Sequence, residues 1–392
     1  MSAAGQAGQP DFASATRLGA ATQQLVQMLR QPTQAAALSE AGWSALLATA
    51  RSANLLGALA AQLQAATVAA PPRAQRHLDG ALQLAARQRL SVQWEAQQLQ
   101  AALGALGSLG VPVLLLKGAA YVMAAHQPPL GAGRMFGDID VLVPRHALGD
   151  VESALMRAGW ASAKTDAYDQ RYYRQWMHEI PPMQHVHRNT VVDVHHTILP
   201  LSARNAPDPA QIIARARPLL DAHGMPALPA LRVPAPEDLV VHSITHLVHE
   251  GELHNGLRDL HDVHAMLQRF GTEPGFWARL EACGAGNDLA GPLLLGLCLV
   301  QAVFESEVPA PLLARLQAQA APRWRRRWLA GAYLRALRPA FDEDTGAAEA
   351  LARLAIYVRS HALRMPLPLL ARHLSVKAWK GLMPQPRPAA DG

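Results

Sequence analysis

The chain has 392 residues, of which 50% are hydrophobic and 5% aromatic, and its formal net charge is +6. This length allows two or three domains, and the two cysteines, Cys283 and Cys298, exclude a disulfide-rich scaffold and a zinc site built from cysteines alone. We therefore expect a protein of a reducing compartment, most simply the cytoplasm, with a core of Ala, Leu and Val.

The first hundred residues predict helices. Residues 1–12 are small and polar, lack the pattern of a signal peptide, and predict a disordered N-terminus. Residues 13–107 contain long Ala, Leu and Gln stretches with apolar residues at spacings of three and four. We expect a helical region over 13–107, interrupted at Pro71 and Pro72.

A buried strand is predicted over 111–116, where an apolar run ends in Lys117 and Gly118, and a helix is predicted over 118–126. A tight glycine turn before a helix leaves free backbone N–H groups that can bind an anion. Lys117 could add a positive charge for a phosphate group. The alternative is an ordinary turn between a strand and a helix.

A pair of aspartates follows a loop rich in Pro and Gly over 127–136. Asp138 and Asp140 alternate with apolar residues, which predicts a strand over 138–143 with both acids on one face. Neighbouring carboxylates repel each other unless a cation lies between them, and oxygen ligands suit Mg²⁺ or Mn²⁺. Arg134, just before the strand, suits phosphate recognition. The alternative is an exposed turn or strand edge.

A third acid lies on a later strand. A helix is predicted over 146–158, and short strands follow near 178–187 and 190–198, where Asp193 and His195 share one face. An acid on an adjacent strand would complete a cradle for two metal ions that holds the attacking and leaving oxygens of an in-line displacement. This pattern favours metal-dependent phosphoryl or nucleotidyl transfer. A solvent-facing aspartate on a half-buried strand is the alternative.

The rest of the chain predicts helices and carries a histidine-rich stretch. His242, His246 and His249 recur at spacings of four and three, so they share one helical face. No acid in that turn completes a metal site, and we expect these histidines to line the cleft above the carboxylates, with one or two of them packed in the core. The dipeptide His261-Asp262 leaves open an HD-type metal phosphohydrolase, although so short a motif is unspecific.

Two further segments of the helical part are distinctive. The uncharged run over 289–304 is shorter than the ~20 residues of a spanning helix, so it predicts a buried core helix and no transmembrane segment. Positive charge concentrates over 322–328, together with two tryptophans. This segment could bind RNA or an anionic membrane surface, or it could be a solvated helix face.

Three features follow one another along the chain: a strand that ends in a Lys-Gly turn, a strand with the pattern Gly-Asp-x-Asp, and a later strand that carries an aspartate. This ordered set resembles the DNA polymerase β-like nucleotidyltransferase superfamily, and more narrowly the bacterial nucleotidyltransferase family proteins, over about 85–270. The resemblance implies a metal-binding catalytic triad of Asp138, Asp140 and Asp193. It also implies that Gly118 contacts the triphosphate with Lys117 nearby. The chain departs from many members at Ala119, where they have Ser or Gly.

The expected fold class is α+β, with a small mixed-sheet nucleotidyltransferase core over 108–232. An N-terminal helical segment precedes the core, and a C-terminal helical domain over 233–383 and a disordered tail over 384–392 follow it. In the narrower family the helical part helps to form the substrate pocket. Together with the strand face that carries Asp193 and the helical face that carries the histidines, that resemblance suggests a cleft lined by His195, His242, His246 and Asp259.

The implied reaction is Mg²⁺-dependent (or Mn²⁺-dependent) transfer of a nucleoside monophosphate from an NTP, with ATP the first candidate. The acceptor would be a hydroxyl, phosphate or amine on a small molecule, an RNA or a protein. The alternative from another class is an inactive adaptor of the same fold, which binds RNA through the basic C-terminal helices or binds a protein partner.

Overall fold

The computed structural model describes residues 18–124, 130–221, 223–339 and 346–366, together with 368 and 370. The predicted tails over 1–12 and 384–392 lie outside these residues. In the described N-terminal part, a short 3-10 helix over Pro32–Ala37 accompanies four α-helices. These helices are α1 (Ala20–Arg30), α2 (Glu40–Ser52), α3 (Leu56–Ala65) and α4 (Pro72–Ser108). The Pro71-Pro72 interruption is therefore a helix start, where proline's missing N–H has no cost.

A mixed sheet of seven strands forms the centre of the described chain. Its strands are β1 (Val113–Leu115), β2 (Ile139–Leu142), β3 (Trp160–Ser162), β4 (Met183–His185), β5 (Val191–His195), β6 (Arg217–Pro218) and β7 (Leu231–Val233). The order across the sheet is β3-β4-β5-β2-β1-β7-β6, with β2–β5 and β1–β7 parallel and the other pairs antiparallel. The predicted α+β fold with a small mixed sheet is confirmed.

Four helices connect these strands within the described ranges, and a 3-10 turn covers Arg145–Ala147. The helices are α5 (Lys117–Met123), α6 (Leu148–Arg157), α7 (Ala167–Trp176) and α8 (Pro209–Arg215). The long helix α4 packs against both α5 and α6, so the N-terminal helices support one face of the sheet. The observed strands and helices lie within two or three residues of the predicted ones over 111–123 and 138–157.

The C-terminal part is helical, as predicted. Its helices are α9 (Pro236–His249), α10 (Gly256–Phe270), α11 (Phe276–Gly286), α12 (Ala290–Phe304), α13 (Ala310–Ala318), α14 (Arg323–Ala336) and α15 (Ala347–Arg364), with a 3-10 turn at Leu253–Asn255. Helix α9 is almost entirely buried, because it contacts α5 on the sheet side and α10, α11, α12 and α15 around it. The uncharged run over 289–304 forms the buried helix α12. None of the helices among the described residues has the length and apolar character needed to cross a membrane.

Buried apolar side chains from all three parts of the chain form one continuous cluster. It runs from Leu25 on α1 through Val141 and Val194 in the sheet to Tyr333 and Ile356 in the C-terminal helices. The predicted region boundaries near residues 107 and 232 therefore lie within one packed body. The cleft described below is held from both sides by this shared core.

Two glycines fix the loop that leads into β2. Gly133 has a φ of +72°, and a Cβ on it would lie 2.5 Å from the backbone N of Ala58 and overlap the carbonyl of Gly57. A Cβ on Gly57, at the start of α3, would in turn overlap the Gly133 carbonyl. Only residues without a side chain allow two backbones to approach this closely. The loop is thereby attached to the N-terminal helices.

Two buried histidines in the helical part predict acid sensitivity. Burial lowers the pKa of His249 and of His264 from 6.5 to about 4. The unfolded chain therefore binds more protons than the folded one between pH 6.5 and 4. The contribution of these histidines to stability is full above pH 6.5 and falls with decreasing pH in this window, by up to ~1.4 kcal/mol per pH unit for each histidine.

We expect the urea concentration at the midpoint of unfolding to decrease when the pH is lowered from 7 to 5. In His264→Gln, where the amide can still bind the Ser306 hydroxyl that now lies 2.6 Å from Nδ1, the fall should be smaller. If the urea midpoint decreased equally with pH in the wild type and in this variant, His264 would not contribute to the acid sensitivity.

Candidate active site

The three predicted catalytic acids lie on two adjacent strands. Because β2 and β5 are parallel and paired in register, Asp140 is the direct partner of Asp193. Asp138 precedes β2 by one residue and is exposed, whereas the Asp140 side chain is buried. Desolvation in the cleft, together with the neighbouring Asp140, raises the pKa of Asp138. The acids are thus close enough to repel each other, as the sequence predicted.

Two cationic groups contact Asp140. Lys117 Nζ and His195 Nε2 each lie 2.9 Å from Asp140 Oδ1. Burial opposes ionisation of Asp140, but Lys117 and His195 outweigh it and hold the pKa of this carboxyl well below its usual range. Burial likewise opposes the charge on Lys117, but Asp140 keeps its pKa above the ordinary value. Asp140 is therefore ionised at all physiological pH values.

The turn between β1 and α5 differs from the expected glycine turn. The residue in the left-handed region is Lys117, with φ +43°, and Gly118 has no positive φ. Gly118 is needed for space instead, because a Cβ there would overlap the Phe136 ring. Ala119 is 2% exposed and is not among the residues that line the cleft, so its missing hydroxyl does not alter the cleft surface. From this backbone conformation the Lys117 side chain reaches Asp140.

Asp193 lacks the partners that Asp140 has. Its Oδ1 is buried and has no hydrogen-bond partner among the described residues. Burial, together with the negative charges of Glu179 and Asp140, raises the pKa of Asp193 to about 7. An acid in this state has a strong tendency to bind a cation or a proton. Asp193 is the member of the triad that is least satisfied by the protein itself.

Glu179 is a functional candidate that the sequence analysis missed. It forms an isolated antiparallel bridge with His195, and its Oε2 lies 3.4 Å from His195 Nε2. Burial raises the pKa of Glu179. The only signal in the sequence was the pair His178-Glu179 within the predicted strand near 178–187, and no motif spacing connects it with the aspartates. Four carboxylates, Asp138, Asp140, Asp193 and Glu179, therefore lie close enough together to influence one another's pKa.

Asp138 and Asp140 open into a cavity of about 420 Å³ between the sheet and helices α9 and α10, whereas Asp193 and Glu179 are not among the residues that line it. The lining from the sheet side includes Lys117, Gly118, Arg134, Asp138 and Asp140. The lining from the helical side includes Ser243, His246, Asn255, Arg258, Asp259 and Asp262, and Asn54 closes one end. The C-terminal helices therefore form a wall of the cleft.

Arg134 connects the two walls. Its Nε donates to Asp262 Oδ2 at 2.6 Å, and its Nη2 lies 3.8 Å from Asp259 Oδ1. Its guanidinium lies 5.6 Å and 5.2 Å from the ring centres of Tyr121 and Phe136. Arg134 thus borders the cavity while two carboxylates of α10 fix its orientation. Its contact with a phosphate group remains a prediction.

The histidines of α9 face different directions. His246 lines the cavity, whereas His242 is buried behind it, where burial together with Lys117 and His195 lowers its pKa to about 3. His249 lies further away, with Nε2 3.2 Å from Asn205 Oδ1. Of the predicted cleft residues, His246 and Asp259 line the cavity, and His195 contacts the acid cluster behind it.

The His261-Asp262 dipeptide does not form a metal centre in the described structure. Asp262 binds Arg134 in the cleft, whereas His261 packs against Phe304 and lines a separate cavity. A metal site built on this dipeptide would need both side chains to face one ion. The divergence of the two residues argues against that alternative.

The basic segment over 322–328 lies at the start of α14. Trp324 and Trp328 are 70% and 62% exposed. Exposed tryptophans among arginines are compatible with binding to a nucleic acid. RNA binding remains a prediction.

A family described as uncharacterised nucleotidyltransferase matches residues 39–305, more than half of the chain. The chain belongs to this family. The match begins at the residue before α2 and ends just after α12, so this nucleotidyltransferase unit includes the helices on both sides of the sheet. The family match therefore covers more of the chain than the resemblance predicted from the motifs, which covered about residues 85–270. No curated protein and no solved structure matches the chain.

Proposed function

We propose that the cleft transfers a nucleoside monophosphate from an NTP to an acceptor, with Asp138, Asp140 and Asp193 as ligands of Mg²⁺ or Mn²⁺. The observation that carries the proposal is the register pairing of Asp140 with Asp193 beside a polar cavity of about 420 Å³. Membership of a nucleotidyltransferase family supports the same chemistry at a coarse level.

The donor set fits a hard divalent cation. Four carboxylates share the region with two cationic side chains, Lys117 and His195, so negative charge is in excess. Asp193 Oδ1 is buried without a hydrogen-bond partner in the described part of the chain. Carboxylate oxygens are the ligands that Mg²⁺ and Mn²⁺ prefer. Such a cation, when bound, would neutralise phosphate charge and stabilise the charge that develops during transfer.

The remaining residues would bind and orient the substrates. Lys117 presents its ammonium at the cavity floor, where it can exchange its Asp140 contact for a phosphate oxygen. Arg134 from the sheet side and Arg258 from the helical side provide further positive charge. Asp193, whose Oδ1 lacks a donor, would bind the cation or accept the proton of the attacking hydroxyl.

The acceptor would enter beside α9 and α10. That wall contains His246, Asn255 and Asp259, which together with Asn54 at one end of the cavity offer both hydrogen-bond donors and acceptors. A polar wall favours a polar acceptor group, such as a hydroxyl, a phosphate or an amine. The experiment compares acceptors on small molecules, RNA and proteins.

We expect purified protein with Mg²⁺ or Mn²⁺ and each α-³²P-labelled NTP to transfer label to an acceptor. Cell extract, total RNA and protein would be offered separately, with ATP tested first. Label should be lost in Asp138→Asn and retained in Asp150→Asn, an exposed acid on α6 outside the cleft. Absence of label in every mixture, with no NTP binding by calorimetry, would overturn the proposal. It would favour the adaptor alternative, for which the exposed tryptophans of α14 would be the first surface to test.

A further inference from the structure

A cluster of two imidazoles and a carboxylate lies beside the aspartates. His178, Glu179 and His195 each offer a ligand atom, and these atoms lie within 4.8 Å of one another. Glu179 Oε2 lies 3.4 Å from His195 Nε2 and 3.9 Å from His178 Nε2. The centres of the two imidazole rings are 5.0 Å apart. None of these three residues belongs to the predicted aspartate triad.

The backbone holds this cluster in position. Glu179 and His195 are bridge partners, Ile180 N donates to Val194 O at 3.0 Å, and His196 N donates to His178 O at 2.8 Å. The segment that carries His178 and Glu179 is therefore an extension of the sheet beside β5. The three side chains converge without any rearrangement of the chain.

The hydrogen bonding of the cluster is incomplete. His178 Nδ1 is buried and has no partner among the described residues. His195 Nε2 lies 2.9 Å from Asp140 Oδ1 and 3.4 Å from Glu179 Oε2. A proton on Nε2 would therefore face two acceptor oxygens. A metal cation could replace that proton and bind the same atoms. Asp140 would then lie at the border between this cluster and the aspartate triad.

We propose that His178, Glu179 and His195 form a binding site for a transition-metal cation of the Zn²⁺ class, distinct from the Mg²⁺ ligands Asp138 and Asp193. Imidazole nitrogen suits Zn²⁺ and similar cations, whereas Mg²⁺ prefers oxygen ligands. Two histidines and one carboxylate are also a known ligand set for a zinc ion that keeps an open position. The inference goes beyond the proposed function, since transfer at the aspartates does not require the imidazoles.

Titration of metal-free, full-length protein with Zn²⁺ alone, without nucleotide, tests this site by calorimetry and by metal content after gel filtration. We expect one ion per chain. His178→Ala and the nearly isosteric Glu179→Gln should each weaken binding at least ~10-fold, the smallest loss usual for a residue that supports a metal site. Asp138→Asn and His261→Gln, which lie outside the cluster, should bind Zn²⁺ as the wild type does.

Two outcomes would overturn the site. One is the absence of stoichiometric Zn²⁺ binding by the folded wild type. The other is binding that Asp138→Asn abolishes while folded Glu179→Gln retains it, because the aspartates alone would then bind the ion. Since no nucleotide is present, failure of the labelled-NTP assay does not affect this test. Conversely, transfer with Mg²⁺ can succeed in a protein that binds no Zn²⁺.

Discussion

Asp193→Asn is expected to abolish nucleotidyl transfer while leaving the folded protein at least as stable as the wild type. The Asp193 carboxylate lies near Glu179 and Asp140, which together with burial raise its pKa to about 7, and its Oδ1 has no hydrogen-bond partner among the described residues. At pH 8 the ionised group therefore opposes folding, and a neutral amide of the same shape relieves the repulsion. Loss of one charge-stabilising group should reduce the rate at least ~10²-fold.

The measurement pairs the labelled-NTP assay with thermal unfolding at pH 8 in the presence of a chelator. Asp150→Asn provides the matched control, because it removes an exposed acid outside the cleft. It should change neither the rate of transfer nor the melting temperature appreciably. Wild-type activity in Asp193→Asn would remove this residue from the proposed site. A large loss of stability would show that the carboxylate has a structural partner.

Gly133→Ala is expected to have the largest effect on stability among the single substitutions considered. The backbone at Gly133 is left-handed, with φ +72°, and a Cβ would overlap the Gly57 carbonyl. Overpacking costs about 1–3 kcal/mol and a left-handed backbone adds about 1–2 kcal/mol, so we expect a loss of at least ~2 kcal/mol. The loop would move away from α3, and Arg134, the next residue, would lose its position against Asp262.

Urea denaturation of Gly133→Ala and of Gly137→Ala distinguishes this contact from a general effect of alanine in the loop. A Cβ at Gly137 would meet no atom within 4 Å, and its φ is not positive. Its stability should therefore stay within ~0.5 kcal/mol of the wild type, as for most exposed substitutions. Equal stability of the two variants would contradict the close approach of Gly57 and Gly133.

Much of the acid site could be predicted from local patterns. The alternation of Asp138 and Asp140 with apolar residues predicted a strand with both acids on one face, and the same reasoning applied to Asp193 and His195. These arguments need only a few neighbouring residues. The predicted helix over 289–304 likewise depended on composition alone, and it forms α12.

The partners of these residues could not be predicted in the same way. Arg134 binds Asp262, which lies 128 residues further along the chain, and no spacing rule links the two. Glu179 reaches His195 through one isolated bridge rather than through a strand with its own periodicity. Helix α7 was not predicted; Tyr168, Tyr172 and Trp176 recur along it at a spacing of four, but none of its residues is fully buried.

The parallel pairing of β2 with β5 has a consequence for how the chain folds. A slip of one residue between these strands would turn every side chain to the other face of the sheet, so the acids meet in one register only. The two strands are joined by a segment that includes β3 and β4, and long-range parallel pairing is slow because a large loop must close first. During synthesis, a chain that has emerged only as far as β4 contains Asp138 and Asp140 but lacks their partner strand. The three acids of the proposed metal site therefore come together late, when β5 docks.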